Sequence, residues 1–247
     1  MAEQVLSVKG LVKRFGGLVA TDYVDFDIDD NQIHALIGPN GAGKTTFVSQ
    51  LAGGLHPDDG SISFYGSDIT RLSMADRAHM GLVRSYQITS IFRNLTVYEN
   101  LAISVQSRLK STFNFFGKSA ADRLREEVAA VALRIELADE LDTLACHLSY
   151  GQQRQLEIGL ALALNPRLLL LDEPMAGLSP DQVPWFVDFI KSLKGKDLSI
   201  LLIEHDMDAV FKLSDRISVL VSGKRIFSGT PDEVKNSAEV KRAYLGD

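Results

Sequence analysis

The chain has 247 residues, 45% hydrophobic and 23% charged, enough apolar material to bury one large core or a core with a subdomain. Its formal net charge of -6 argues against a broad electrostatic grip on nucleic acid, which needs a basic footprint, so a phosphate ligand would have to be held locally. A lone cysteine, Cys146, excludes an internal disulfide framework and favours a reducing compartment, the N-terminus lacks a signal-peptide layout, and no apolar run approaches the roughly 20 residues that span a bilayer.

In chain order, "VLSVKGLVKRF", "DYVDFDID" and "SISFYGSDI" alternate apolar with polar residues and predict strands of a mixed or antiparallel β layer. "QIHALIG" and "RLLLLDE" are continuously apolar, which suits central strands of a parallel sheet buried on both faces. Leu124, Val128, Val131 and Ile135 recur at helical spacing, and residues 95–162 read as a helical subdomain inserted between residues 1–94 and 163–247. "LSILLIEHD" predicts a further buried strand, and "RISVLVSGKRIFSGT" a hairpin or close-set strands around its Ser-Gly-Lys centre.

Between "QIHALI" and a helix-forming stretch, Gly38, Gly43, Lys44 and Thr45 match GxxxxGK[ST] in the strand-to-helix context that a phosphate-binding P-loop (Walker A) requires. Gly38, Pro39, Asn40, Gly41, Ala42 and Gly43 form the loop, and Lys44, Thr45 and Thr46 open the helix. Glycines let backbone N–H groups curl around phosphate oxygens, the helix N-terminus adds partial positive charge, Lys44 reaches the β and γ phosphates, and Thr45 offers a hydroxyl to Mg²⁺. "LLLLDEP" ends a buried strand in two carboxylates that point opposite ways, so Asp172 can serve the ion and Glu173 the attacking water as general base or positioner. In "LSYGQQRQLEI", Ser149 and Gly151 stand immediately before a helix, either as a plain N-cap or as a second anion site without a lysine.

The order of P-loop, Gln87, "LSYGQ", Asp172-Glu173 and His205 resembles the ATP-binding cassette ATPases over nearly the whole chain. The resemblance implies an α/β P-loop ATPase fold in which the signature residues Ser149, Gly151 and Gln152 of one subunit close over ATP held by its partner. It also implies that Phe15 stacks on adenine, that Gln87 joins Mg²⁺ and the attacking water to the transporter contact, and that His205 contacts the γ-phosphate. Two positions depart from the pattern: Tyr150 replaces the first glycine of LSGGQ, and Ser179 in "AGLSPD" replaces the usual aspartate of the D-loop.

"LSYGQQRQLEI", "DEPMAGLSP", "IEHDM" and the terminal "KRAYLGD" narrow the resemblance to the ATPases of branched-chain amino acid importers, whose relatives also carry amides. This implies a homodimer or a heterodimer with a second such ATPase, bound peripherally at the cytoplasmic face of the inner membrane to permease subunits. A periplasmic or extracellular binding protein would supply the cargo, and no nucleic acid is involved. Ile91, Phe92, Leu95 and Tyr98 either line the groove for a permease helix or belong to the core. The rival readings are a soluble cassette ATPase of repair or translation, which lacks support here from a long coiled coil or a second cassette, and a P-loop kinase or GTPase, which has no use for LSYGQ.

Overall fold

A computed structural model describes residues 4–85, 91–109, 118–195 and 197–245. The first strands, β1 (Gln4–Phe15) and β2 (Leu18–Asp29), form an antiparallel hairpin. Alternation sets the faces of β2: Val24, Phe26 and Ile28 are buried, whereas Tyr23, Asp25 and Asp27 are exposed. The fully buried β3 (Ile33–Ile37) leads through the glycine-rich loop into α1 (Lys44–Leu51). β4 (Asp59–Phe64) and β5 (Ser67–Asp68) complete a four-stranded sheet of order β2-β1-β4-β5.

After α2 (Met74–Met80) and β6 (Leu82–Arg84), the described residues include the α-helices α3 (Val97–Leu109), α4 (Lys118–Arg134) and α5 (Tyr150–Leu162). They share a core that includes Val97, Leu101, Val105, Val128, Ile135 and Leu156. At Gly159 on α5, a Cβ would lie 2.5 Å from Ile135 Cδ1, so glycine permits the close packing of this helix. The chain then alternates β7 (Leu168–Asp172), α6 (Val183–Leu193), β8 (Ser199–Ile203) and α7 (Met207–Leu213). It continues with β9 (Arg216–Val221), β10 (Lys224–Gly229) and α8 (Pro231–Asn236), the two strands forming the expected antiparallel hairpin, and then a short α9 (Ala238–Val240) and a π-helical turn (Lys241–Leu245).

The second sheet has order β10-β9-β3-β8-β7-β6, with every pair parallel except β10 with β9. Its central strands β3, β7 and β8 are buried at all five positions, as continuous apolar runs require. Leu169, Leu171, Ile200 and Leu202 face the helical core, while Leu168, Leu170, Leu201 and Ile203 face a second core between the sheets, where Phe47 of α1 sits with Phe26 and Phe64. The C-terminal ends of β3, β7 and β8 lie side by side, which brings the segments following Ile37, Asp172 and Ile203 together at one edge, the usual ligand edge of an open parallel sheet.

Candidate active site

The loop after β3 is shaped by close backbone approaches. Gly43 has φ +99°, and a Cβ there would lie 2.1 Å from the Ala20 carbonyl oxygen; at Gly38, φ +153°, a Cβ would lie 2.0 Å from that of Leu220. Only glycine fits either place, which explains two of the motif's fixed positions. Gly43 also precedes α1 without a side-chain cap, and no acidic residue occupies the first turn, so the helix's free N–H groups and partial positive charge are turned toward the loop. The Lys44 ammonium donates to the carbonyls of Gly38 at 2.6 Å and Pro39 at 3.0 Å. Burial lowers its pKa from the ordinary lysine value, while Glu173 and Asp172 act in the opposite direction.

A cleft of about 510 Å³ opens over this loop. Asn40, Gly41, Ala42, Gly43, Lys44, Thr45 and Thr46 line its floor, and Asp172, Glu173 and His205 form its far wall. Phe15 lines its rim with 49% of its surface exposed, with the Lys13 ammonium 5.8 Å from the ring centre.

On the carboxylate wall, Arg84 at the end of β6 pairs with Asp172 Oδ2 at 2.6 Å and donates to Ser49 Oγ of α1 at 3.1 Å. Arg84 thus ties the end of β7 to the phosphate-loop helix. Glu173 adopts φ +50°, an unusual conformation for a side chain of this size. Its amide donates to the Ile203 carbonyl at 2.8 Å, and its Oε1 lies 2.9 Å from His205 Nε2. The neighbouring Glu204 accepts from the amides of Met175 and His205, both at 2.9 Å, so one buried carboxylate holds the segments that follow both strands. Burial pushes the Glu204 carboxyl pKa up, against the effect of those amides. Neither Arg84 nor Glu204 belongs to a sequence motif of the site. A charged residue closing each buried strand, "LVR" and "LLIE", is the signal that could have raised them.

The donor set suits ATP with Mg²⁺: a glycine cradle, one lysine, the Thr45 hydroxyl and one carboxylate match an ion usually held by one or two carboxylates plus substrate phosphates. Gln87 lies outside the described residues. Of the described residues that line the cleft, none belongs to the signature. Ser149 caps α5 instead, accepting from the Gln152 amide at 3.3 Å while Gln152 Oε1 accepts from the Ser149 amide at 3.0 Å and hydroxyl at 2.9 Å. Gly151 faces Trp185 of α6, whose ring would lie 3.2 Å from an added Cβ. Ile91 is buried in the helical core, whereas Phe92 is 53% exposed, so these two neighbours play different parts.

A glycine cradle at an uncapped helix N-terminus, opposed by a carboxylate and an imidazole at adjoining strand ends, defines a P-loop ATPase site. The pattern of the ABC transporter family matches residues 21–176, and the chain belongs to that family. The pattern of the branched-chain amino acid ATP-binding cassette transporter family matches residues 224–247. Over 254 residues the chain is 40% identical to LivG of Salmonella typhimurium, a high-affinity branched-chain amino acid transport ATP-binding protein, covering 100% of both. It is 37% identical over 243 residues to LptB of Haemophilus influenzae, the ATP-binding protein of a lipopolysaccharide export system, covering 98% of this chain. An ATP-binding cassette of an ABC transporter, solved in its ADP conformation, matches with a TM-score of 0.84 at 30% identity and covers 99% of both chains.

Proposed function

We propose that this ATPase powers uptake of branched-chain amino acids, or of a related amino acid or amide, through partner membrane subunits. The observation that carries the ATPase chemistry is the approach of His205 Nε2 to Glu173 Oε1 at 2.9 Å in the cleft that also holds Lys44 and Thr45. Import is favoured by the match of residues 224–247. The chain is also 37% identical over 243 residues to the ATP-binding protein of an export system, so overall similarity does not fix the cargo.

In this reading Lys44 binds the β and γ phosphates, Phe15 stacks on adenine, and Glu173 orients a water and takes up its proton as the oxygen attacks the γ-phosphorus. The bond to the bridging oxygen breaks and ADP leaves. His205 contacts the γ-phosphate, and its Nε2 lies 2.9 Å from Glu173 Oε1. Thr45, Asp172 and Gln87 would hold Mg²⁺, which would supply charge neutralisation on the phosphates. Residues 1–94 and 163–247 form the β layer and catalytic core, and residues 95–162 the helical subdomain, with exposed Phe92 facing a permease helix. Ser149, Gly151 and Gln152 serve the nucleotide of the opposite subunit in a homodimer or heterodimer. The assembly sits at the cytoplasmic face of the membrane and receives cargo from a separate binding protein.

Two variants test the chemistry. Lys44→Ala removes a charge-assisted contact and is expected to weaken ATP affinity by about ten- to a hundredfold and abolish turnover. Glu173→Gln keeps the shape, so ATP binding persists while hydrolysis collapses, and full activity in that variant refutes the assignment. Flotation of the chain on membranes that contain its permease separates the transport reading from a soluble role.

A further inference from the structure

Tyr150 stands where the family signature has glycine, and its contacts run toward the catalytic wall of its own chain. Its hydroxyl donates to the Ala176 carbonyl at 2.9 Å and accepts from Arg154 Nη2 at 2.7 Å. Arg154 donates to the same carbonyl at 3.2 Å, lies over the Tyr150 ring at 5.1 Å, and is anchored by Glu157 at 2.7 Å. Ala176 in turn closes a turn on the catalytic wall, its amide donating to the Glu173 carbonyl at 3.1 Å. The next residue, Gly177, has φ +84°, and a Cβ there would lie 2.5 Å from the Tyr150 hydroxyl. The tyrosine and this glycine therefore fit one another, and the loop leaves no room for a side chain beside the hydroxyl.

Glu173 sits at φ +50°, a conformation that persists only where its surroundings over-determine it. The Ile203 carbonyl holds its amide, Glu204 holds Met175, and Tyr150 with Arg154 holds Ala176. We infer that Tyr150 is a positioning residue for Glu173: through Ala176 it clamps the turn that aims the carboxylate, a task that the usual signature glycine has no side chain to perform. This rests on Glu173 as the catalytic carboxylate. Such a clamp acts within one subunit, in contrast to Ser149, whose proposed partner is the nucleotide across the dimer. It also gives the D-loop an anchor within its own subunit where Ser179 replaces the usual aspartate.

The test compares wild type, Tyr150→Phe, Glu173→Gln and the double variant, each as the full chain purified with the membrane subunits that accompany it. Tyr150→Phe keeps the ring and loses the hydroxyl's bonds, so kcat is expected to fall roughly two- to tenfold, with KM for ATP unchanged and the melting temperature lowered by no more than a few degrees. In single-turnover assays on the Glu173→Gln background, Tyr150→Phe is expected to cause no further loss, because its effect passes through the carboxylate. A wild-type kcat in Tyr150→Phe overturns the positioning role, as does a change confined to KM or an equal further loss in the double variant. If Glu173→Gln keeps full activity, the underlying chemical assignment fails as well. A dead Glu173→Gln beside an unaffected Tyr150→Phe confines the failure to the clamp.

Discussion

His34 lies on β3, four positions before the phosphate loop, with its ring centre 4.5 Å from that of Phe26 and its Nε2 2.9 Å from Ser218 Oγ. Burial, reinforced by the charges of Arg216 and Arg225, depresses its pKa from 6.5 to about 3. Above pH 6.5 the imidazole is neutral in both the folded and the unfolded chain. As the pH falls below 6.5 only the unfolded chain takes up the proton, so stability drains away until about pH 3, below which both states are protonated. Between pH 7 and pH 5.5 this single group is expected to remove about 1 kcal/mol. Urea unfolding of wild type and His34→Phe at the two pH values isolates the effect. The variant is less stable overall but should lose less between them, and equal losses would contradict a neutral buried imidazole.

Among elements, α1 carries the heaviest demand, because its N-terminal end must stay uncapped toward the cleft. Its C-terminal end is secured by Arg77 of α2, which is fully buried and donates to the carbonyls of Gln50 and Leu51, both at 2.7 Å. The same guanidinium donates to Leu72 and Thr70, each at 3.1 Å. Burial lowers its pKa to about 10, so it stays charged at neutral pH and complements the negative end of the helix. Arg77→Met leaves several buried carbonyls without that donor and is expected to cost about 2–4 kcal/mol by chemical denaturation. Arg77→Lys, which keeps charge but not the fork, should fall between them, and a loss in Arg77→Met below about 1 kcal/mol would show the carbonyls satisfied otherwise. Strand alternation, the apolar runs of β7 and β8 and the P-loop were readable because each is written in adjacent residues. Arg77 on Gln50, Arg84 on Asp172 and Tyr150 on Ala176 join positions 27, 88 and 26 residues apart, and no local pattern records such pairings.

At the scale of the whole molecule, the separation of the signature from the cleft decides what one chain can do. Lys44, Glu173 and His205 share a cleft that Ser149 does not line, and Ser149 is occupied as the cap of α5. If Ser149 serves ATP across a dimer, two inactive chains should repair one another. Lys44→Ala lacks a working phosphate loop, and Ser149→Arg lacks a working signature. In the mixed dimer, the loop of the Ser149→Arg chain faces the intact signature of the Lys44→Ala chain, and one complete site is restored. The other site carries both lesions, so recovered activity has a ceiling of about half the wild-type rate for independent sites and falls lower if the two must fire together. The measurement is ATP hydrolysis by separately tagged chains, purified through both tags with the membrane subunits present. Activity clearly above both parents is the expected result. Mixed dimers that form and remain as inactive as their parents, or a lone Ser149→Arg chain that hydrolyses at the wild-type rate, would place the signature's task elsewhere.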